Sequence, residues 1–379
     1  FLLFLLWLVA CTAIGARAPR PRNANAGRDV TLWGVLAFAG TSLISAFTSL
    51  SPTASTWGLG GYYGGLMLVL FTAAGYWAVR SYLDLENLDF VFWVLGITTS
   101  IVAVLYVLNI FNIDLIGAYA DTAVVERAQF FSTLGQKDFN GCFFSVALPI
   151  VFYQFLNAKD TRTAGWTGIP AAFGALALAV VDSEALALGI GAAVMVLVCH
   201  KNFTTRHLRR AALISAAFFG WAAWMHYMRA SVYTQGGTAL LAKLGAWQVA
   251  LPCMAASLLL WLVLFVLARK GIAAQAPLYL PGRVITIAVL AVGALAFVLA
   301  NAMPNLPLPE SLHNLLVFND DWGTYRGVAW RAAFGTWADG SLLRKILGVG
   351  PGMMHTAVAA WAGDAMTARM ATFYAAHNE

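Results

Sequence analysis

The residues best suited to chemistry lie in the last segment of the chain, from Met303 to Glu379. Arg326 and Arg331 carry planar, permanently charged guanidinium groups, which match the oxygens of phosphate groups. His377 can accept or orient a proton near neutral pH. An anionic phosphate ligand and a proton-transfer step are therefore the chemistry that this segment suggests.

The two arginines are predicted to share one helix. Pro304 to Pro309 is expected to be extended, Asp320 to Thr324 supplies several N-cap side chains, and a helix follows from about Tyr325 to Trp337. Arg326 and Arg331 are five positions apart, about 500° of helical rotation, so their side chains point roughly 140° apart. They either converge on one flank of a helix lying along the bilayer surface, or bind separate partners.

A glycine-rich turn follows the arginines. A short helix is predicted from Ser341 to Leu347, and Gly348-Val349-Gly350-Pro351-Gly352 comes directly after it. Glycines around a proline permit positive φ angles and a tight reversal close to another backbone. No Lys-Ser/Thr pair follows, so this is not a Walker phosphate loop. A last helix is predicted from Met353 to Tyr374, which places His377 and Asn378 where the chain re-enters the membrane.

The rest of the chain has the composition of a membrane protein. Hydrophobic residues make up 60% and charged residues 11%, with a mean hydropathy of +0.74, whereas soluble domains carry about 25% charged residues. Runs near 20 apolar residues are long enough to cross a hydrocarbon core of roughly 30 Å. About ten such runs are present, near Phe1 to Gly15, Val30 to Leu50, Tyr62 to Val79, Phe90 to Ile110, Gly141 to Asn157, Gly165 to Val181, Ala185 to Cys199, Ala211 to Tyr227, Ala246 to Ala268 and Val284 to Ala302.

Basic residues fall mainly on one side of these predicted spans. Loops rich in Lys and Arg stay in the cytoplasm. One alternating set of loops contains Arg17, Arg20, Arg22, Arg28, Arg80, Lys159, Arg162, Lys201, Arg206, Arg209, Arg210, Arg269, Lys270 and Arg283. The opposite set contains only Arg127, Lys137, Arg229 and Lys243. This bias predicts that the segment after Ala302 lies outside the cytoplasm. The net charge of +6 is then explained by the basic residues of the predicted cytoplasmic loops.

Two acidic residues, Asp182 and Glu184, interrupt an apolar stretch. An ionisable side chain in hydrocarbon costs about 2.5 to 3.5 kcal/mol even on the lenient insertion scale. These residues therefore form a polar site at the outer mouth of the bundle, or they lie in a short loop that touches water. The two apolar runs that flank them can also be interpreted as one long broken span.

Several other kinds of site are not indicated. The sequence has no basic stripe with interleaved aromatic residues, so no nucleic-acid partner is predicted. Its four cysteines are far apart without CxxC spacing, and its six histidines form no HExxH motif. We therefore predict no disulfide framework, no metal site and no cofactor.

The order of the motifs in the last segment resembles that of the O-antigen ligase and O-antigen polymerase family. The residues that carry the resemblance are Arg326, Arg331, Leu347 to Gly352, His377 and Asn378. The resemblance is tight over this segment and loose over most of the remaining chain.

This resemblance implies an all-α fold, a polytopic transmembrane helical bundle of about ten spans with a long extracytoplasmic helical loop, similar to the GT-C glycosyltransferases. It implies a metal-independent inverting glycosyltransferase in the bacterial cytoplasmic (inner) membrane. Such enzymes move a glycan from undecaprenyl pyrophosphate to a saccharide: a lipid A core sugar for lipopolysaccharide ligases, or another lipid-linked repeat for polymerases. Residues 1–302 would form the bundle and residues 303–379 the catalytic loop, with further spans expected beyond both ends.

The resemblance also implies residue roles. Arg326 and Arg331 would bind the pyrophosphate leaving group, and His377 would orient or deprotonate the acceptor hydroxyl. The segment Gly135 to Gly141 is similar to the family's Gly-Asn-Pro-Asn type segment, although the proline is replaced. Supporting roles are expected for Asn378, Gly350, Gly352, Asn140, Arg127 and Arg229.

One position departs from the family pattern. The family often carries Ser-Arg near the start of the helix that here begins Asp182-Ser183-Glu184. Glu184 stands in place of that arginine, which in the family contacts the pyrophosphate. Arg127 or Arg229 would then replace it from another outer loop, or the donor geometry differs.

The main alternative function is a transporter or flippase of a lipid-linked saccharide. Such a protein should have paired broken helices at the bilayer midplane, often as an internal repeat. The sequence has no evident repeat, and a long one-sided loop is not needed for alternating access. The third alternative is a scaffolding membrane subunit. Such a role would not explain the presence of two arginines and a histidine in this order.

Overall fold

The computed structural model is almost entirely helical. It describes residues 30–58, 64–82, 88–117, 119, 130–181, 183–231, 244–272, 275–303, 307–320 and 322–369. The first elements in chain order are α1 (Val30–Phe47), α2 (Pro52–Trp57), α3 (Leu66–Tyr82), α4 (Leu88–Ile110), β1 (Phe130–Phe131), β2 (Gly135–Gln136) and α5 (Lys137–Asn157). They are followed by α6 (Thr161–Val180), α7 (Glu184–Cys199), α8 (Thr205–Ser231), α9 (Trp247–Arg269) and α10 (Tyr279–Ala302). The last segment contains α11 (Glu310–Leu316), α12 (Trp322–Ala338), α13 (Leu342–Leu347) and α14 (Met354–Arg369).

Six helices in the described part of the chain are long and apolar enough to cross a membrane. They are α1, α4, α5, α6, α9 and α10, and each coincides with an apolar run predicted from the sequence. Three more predicted runs form α3, α7 and α8, which are shorter or carry more charge. The remaining run, Phe1 to Gly15, lies outside the described residues. The predictions of a helical fold and a multi-pass membrane protein are thus confirmed.

The apolar stretch around Asp182 contains two separate helices. Helix α6 ends at Val180, and α7 begins at Glu184 after Ser183, which has an extended backbone. Both helices pack against α5. Asp182 itself lies outside the described residues, so its predicted alternatives, a polar site or a water-exposed loop, stay predictions.

The described residues group into two compact units. One unit combines residues from both ends of the chain, within Phe1–Leu85 and Val292–Glu379. In this unit α1 packs on α2, α3 and α13, and α12 packs on α11, α13 and α14. The other unit lies within Glu86–Ala291, and its helices α5, α6 and α8 pack on one another. The predicted division at Met303 concerns the membrane boundary and stays a prediction.

The core of the second unit lies where α4, α5, α6, α7 and α8 meet. Tyr106, Ile110, Phe144, Leu148 and Val180 are almost completely buried there. The bilayer gives little hydrophobic force between helices, so close packing of such side chains holds the helices together. This core fixes the start of α5, where one of the predicted site residues lies.

Glycines permit close contact between α5 and α7. A Cβ atom on Gly189 would lie 2.6 Å from the Cβ of Ser145, and one on Gly141 would lie 2.2 Å from the Oγ of Ser183. Real Cβ atoms do not approach other atoms so closely. The sequence predicts such contacts from its many small residues, and the structure confirms them for this helix pair.

Arginines from α8 satisfy the carbonyl groups at the end of α5. Arg210 donates from Nη1 to the carbonyl oxygens of Leu156 (2.9 Å) and Ala158 (2.6 Å), and Arg206 donates to the carbonyls of Ala158 and Lys159. The last carbonyls of a helix have no partner within the helix and carry partial negative charge, so cationic donors stabilise them. These arginines therefore hold the α5–α6 connection against the start of α8.

Candidate functional site

The last segment begins with contacts to the end of α10. Asn301 donates from Nδ2 to the carbonyl oxygen of Leu316 (2.7 Å), and its Oδ1 accepts a hydrogen bond from the backbone N–H of Phe318 (2.8 Å). Residues 307–309 have no regular structure, but helix α11 (Glu310–Leu316) follows them and is absent from the sequence prediction. One amide side chain thus fixes where the polar segment leaves the apolar helix.

Helix α12 is the element that positions the two predicted phosphate-binding arginines. It begins at Trp322 and ends at Ala338, slightly longer than predicted. Val328, Ala329 and Ala332 form its buried stripe and pack against Val358 of α14. At 100° per residue, the positions of Arg326 and Arg331 fall on opposite flanks of this stripe. The prediction that the two arginines point well apart is consistent with this placement.

Arg331 is half-exposed and has a defined ionic partner. Its guanidinium forms an ion pair with the carboxylate of Asp320, and the side chains are 56% and 34% exposed. The carbonyl oxygen of Asp320 also accepts the backbone N–H of Val328 at 3.2 Å, which fixes the residue over the helix. A guanidinium held by a carboxylate loses less side-chain freedom when an anion binds to its remaining donors. Arg331 can therefore act as an oriented anion-binding group.

The glycine turn behaves as its sequence predicts. Gly348, Gly350 and Gly352 have φ angles of 78°, 105° and 68°. A Cβ on Gly350 would lie 2.5 Å from the Cβ of Ser49 and 2.6 Å from the Oγ of Ser55. A Cβ on Gly352 would lie 3.1 Å from the carbonyl oxygen of Gly64, which confirms the reversal close to another backbone. A role of Gly350 or Gly352 in catalysis stays a prediction.

A hydrogen bond from a buried serine secures the same turn. The side chain of Ser55 is completely buried, and its Oγ donates to the carbonyl oxygen of Pro351 at 3.1 Å. Ser55 belongs to α2, which begins with Pro52 behind the N-cap Ser51. A helix from the start of the described chain therefore holds the turn that follows α13.

Two tryptophans link α12 to the helices after it. Trp337 donates from Nε1 to the carbonyl oxygen of Lys345 (3.1 Å), and Trp361 donates from Nε1 to Oδ2 of Asp339 (2.7 Å). Amphipathic aromatic side chains of this kind suit a membrane surface, where one end of the ring is apolar and the other is wet. These contacts keep the arginine-bearing helix in a defined position relative to α13 and α14.

An aromatic cluster lies beside the start of α12. The rings of Phe318, Trp322 and Trp330 have centroids 5.0 to 6.3 Å apart. Phe318 remains 37% exposed, and Trp322 donates from Nε1 to the carbonyl oxygen of Leu315 (2.9 Å). Sequence reasoning missed this cluster, although three aromatic residues within a short stretch of the polar segment were a usable signal.

Asn140 belongs to a buried polar network in the second unit. It is completely buried in the first turns of α5, and its Oδ1 accepts the hydroxyl of Ser132 at 2.6 Å. The backbone N–H of Ser132 donates to Oδ1 of Asn109 (2.7 Å), and the hydroxyl of Tyr119 donates to the carbonyl of Ser132. Ser132 has a φ of 57° at the tip of the β1–β2 hairpin. The network therefore attaches the β1–β2 hairpin to α4 and α5.

Tyr119 stays protonated in this network. Burial raises the pKa of its hydroxyl, and the nearby carboxylate of Asp114 raises that pKa further. Asp114 also accepts the backbone N–H of Tyr119 at 2.8 Å. Tyr119 therefore serves here as a hydrogen-bond donor to the carbonyl of Ser132.

The structure describes only some of the remaining predicted site residues. Arg229 is half-buried in the last turn of α8, where a cation is favoured by the helix dipole. Glu184 is the first residue of α7, and the side chain of Ser183 makes no capping bond there. The side chain of Arg326 is not among the described ones. Arg127, His377 and Asn378 lie outside the described residues.

The described side chains also bear on metal binding. Among them, no three of His, Cys, Asp or Glu lie close enough together to hold a metal ion.

Comparison of the chain with known protein families, with curated proteins and with solved structures finds no match. The resemblance to O-antigen ligases and polymerases therefore stays a prediction, which rests on the residues and their order alone.

Proposed function

We propose that this protein is a membrane glycosyltransferase that moves a glycan from undecaprenyl pyrophosphate to a saccharide acceptor outside the cytoplasmic membrane. The observation that carries the proposal is the exposed guanidinium of Arg331, oriented by Asp320 on α12. It lies in the polar segment that also contains the glycine turn and, in sequence, His377 and Asn378. An oriented cation in a polar segment that follows an apolar helix suits a lipid-linked pyrophosphate.

The proposed reaction is an inverting displacement. The acceptor hydroxyl attacks the anomeric carbon of the donor sugar, and the bond from that carbon to the pyrophosphate oxygen breaks. The hydroxyl proton passes to His377, and undecaprenyl pyrophosphate leaves with the bonding electron pair. Arg331 and Arg326 would stabilise the negative charge that develops on the leaving group. In this scheme the arginines supply the charge compensation, so the reaction needs no metal ion.

The membrane context supports a lipid-linked donor. Six apolar spans in the described residues provide a surface along which a polyprenyl chain can lie. We propose about ten spans in total, a GT-C-like arrangement, and a bacterial inner-membrane location with the terminal segment extracytoplasmic. The acceptor would be a lipid A core sugar in a ligase, or a second lipid-linked repeat in a polymerase.

The aromatic cluster of Phe318, Trp322 and Trp330 also suits this function. Sugar rings present apolar C–H faces that pack on aromatic rings, and the exposed edge of Phe318 lies at the start of the helix that carries Arg331. We propose that this cluster contacts the glycan next to the pyrophosphate.

A reconstituted assay tests the proposal. Full-length protein in liposomes is supplied with undecaprenyl-pyrophosphate glycan and candidate acceptors in the presence of EDTA. Formation of a glycosyl bond together with release of undecaprenyl pyrophosphate is the expected result. Movement of intact lipid-linked glycan between leaflets, without cleavage of the sugar–phosphate bond, would instead establish a transporter and end the proposal.

A further inference from the structure

The guanidinium groups of two arginines from neighbouring helices both lie against one aromatic ring. Helices α8 and α9 pack antiparallel, because the hydroxyls of Ser215 and Ser257 are 3.0 Å apart while the earlier Arg209 of α8 lies against the later Phe265 of α9. The start of α8 therefore lies beside the end of α9. There the Cζ atoms of Arg209 and Arg269 lie 5.9 Å and 5.2 Å from the ring centroid of Phe265. These are distances at which a guanidinium is attracted to an aromatic ring.

The pair lies at the edge of an exposed apolar surface. Trp261 stacks on Phe265 with centroids 5.4 Å apart and an interplanar angle of 20°. Leu258 and Leu262 follow on the same face of α9, at helical spacing from Arg269, and are 42% and 48% exposed. An aromatic pair between exposed leucines and terminal arginines is typical of the level at which lipid head groups lie.

The charge at this end of the bundle is strongly positive. The exposed basic residues on the loops and helix ends here are Lys159, Arg162, Lys201, Lys270 and Arg283. Within the described residues, neither Arg209 nor Arg269 forms an ion pair with a carboxylate. Asp160 and Asp89 are acidic residues at this end, and the carboxylate of Asp160 accepts the backbone N–H and the hydroxyl of Thr163. Neither guanidinium group is thus paired with a carboxylate in the part of the chain that the structure describes.

We propose that Arg209 and Arg269 bind the phosphate of an anionic phospholipid, whose acyl chains lie along the exposed apolar face of α9. Arginine offers several donors to phosphate oxygens, and the ring of Phe265 holds both groups in place. A soluble phosphate would leave the leucine face uncovered, whereas a phospholipid covers it. This site involves none of the residues assigned to glycan transfer. The lipid-binding proposal can therefore be tested independently of the proposed function.

Native mass spectrometry of the full-length protein in a neutral detergent tests the site. Phosphatidylglycerol and phosphatidylcholine with the same acyl chains are titrated, and the fraction of protein that retains lipid is measured. Loss of a direct charge-assisted hydrogen bond to phosphate weakens binding at least about tenfold, so Arg209→Gln with Arg269→Gln should weaken retention of phosphatidylglycerol by at least about 10²-fold. Phosphatidylcholine should bind weakly to all variants.

The matched control is Lys159→Gln with Lys201→Gln, which removes two exposed charges at the same end without touching the aromatic pair. It should retain phosphatidylglycerol as the wild type does. Equal losses in both double variants would show general attraction to basic loops and overturn the proposal. Binding of soluble glycerol phosphate as tight as that of the lipid would also overturn it, because the apolar face would then contribute nothing.

Helical circular dichroism and gel filtration establish that the variants are folded. If the double glutamine variant fails to fold, Arg269→Gln alone serves, because this exposed residue ends α9. Its retention of phosphatidylglycerol should fall at least about tenfold, and unchanged retention would contradict the site.

Discussion

Arg331, from the middle of α12, and Asp320, from the loop before that helix, form an ion pair at the surface of the terminal segment. Both side chains are substantially exposed, and exposed pairs contribute only about 0 to 1 kcal/mol to stability. The pair is therefore poorly explained as a folding device. Its main physical effect is to restrict the guanidinium to one orientation.

This relationship predicts non-additive effects on glycan transfer. If Asp320 acts by orienting Arg331, then Asp320→Asn should slow transfer in the wild-type background and have no further effect beside Arg331→Ala. The four rates, from the wild type, both single variants and the double variant, are measured under single-turnover conditions. A further large loss in the double variant would mean that Asp320 has its own role, independent of Arg331.

Two glycines in the terminal turn should differ in their tolerance of alanine. Gly348→Ala meets only Ser45 Oγ at 3.8 Å, so its cost is the backbone strain of a positive φ, about 1 to 3 kcal/mol. Gly350→Ala carries similar strain and also overlaps Ser49 and Ser55, which adds about 1 to 3 kcal/mol. Thermal unfolding in detergent, followed by helicity, should rank Gly350→Ala as clearly the less stable. Equal stability of the two variants would contradict the described packing of the turn.

The buried amide of Asn140 should matter for stability. Asn140→Ala leaves the hydroxyl of Ser132 without its buried acceptor, a loss worth about 1 to 3 kcal/mol. Asn202→Ala is the control, because Asn202 is exposed and surface changes usually stay within about 0.5 kcal/mol. Denaturant titration in detergent measures both. If the two variants unfold at the same midpoint, the network does not hold the hairpin as inferred.

Stability should depend on pH through His207. Burial lowers the pKa of its imidazole below the ordinary value of 6.5, and the neighbouring charges of Arg206 and Arg210 lower it further. The geometry agrees, because Nδ1 accepts the backbone N–H of Thr204 at 3.2 Å and so has no room for a proton. The unfolded chain therefore binds more protons here, and this contribution is complete above pH 6.5 and is lost as the pH falls below it.

The check is the melting temperature of the detergent-solubilised protein between pH 7 and pH 5. The melting temperature of His207→Gln should fall less over this interval than that of the wild type. Asp160 does not interfere, because a backbone hydrogen bond from Thr163 lowers the pKa of its carboxyl below 3.8. Identical pH profiles for His207→Gln and the wild type would contradict the assignment.

The apolar helices could be predicted because their signal is local. A run such as Phe90 to Ile110 determines both the helix and its place in a membrane, and the structure has α4 there. The positive φ angles of Gly348, Gly350 and Gly352 were predictable for the same reason, since only glycine adopts them readily. Local chemistry was thus sufficient for the elements of the terminal segment and its turn.

Contacts between distant residues could not be predicted in this way. The bond from Ser55 to the carbonyl of Pro351 joins two ends of the chain, and the buried bond from Ser132 to Asn140 depends on a hairpin with strands of two residues each. Helix α11 was missed because the prolines before it favour an extended chain. Composition and periodicity carry no information about such partners, which are selected by packing.

The proposed role of Arg331 in glycan transfer is tested most directly by comparing the transfer rates of Arg331→Ala and Arg344→Ala. Arg344 is an exposed arginine of the same segment on α13, so its loss removes the same charge from another position. If Arg331 stabilises the leaving group, Arg331→Ala should lower the rate by about 10² to 10³-fold, as expected for a lost transition-state contact. The transfer rate of His377→Ala should be about 10² to 10⁴-fold lower than that of the wild type. Arg344→Ala should transfer glycan at nearly the wild-type rate. If Arg331→Ala transfers glycan at the same rate as Arg344→Ala, Arg331 does not stabilise the leaving group and the proposed role is contradicted.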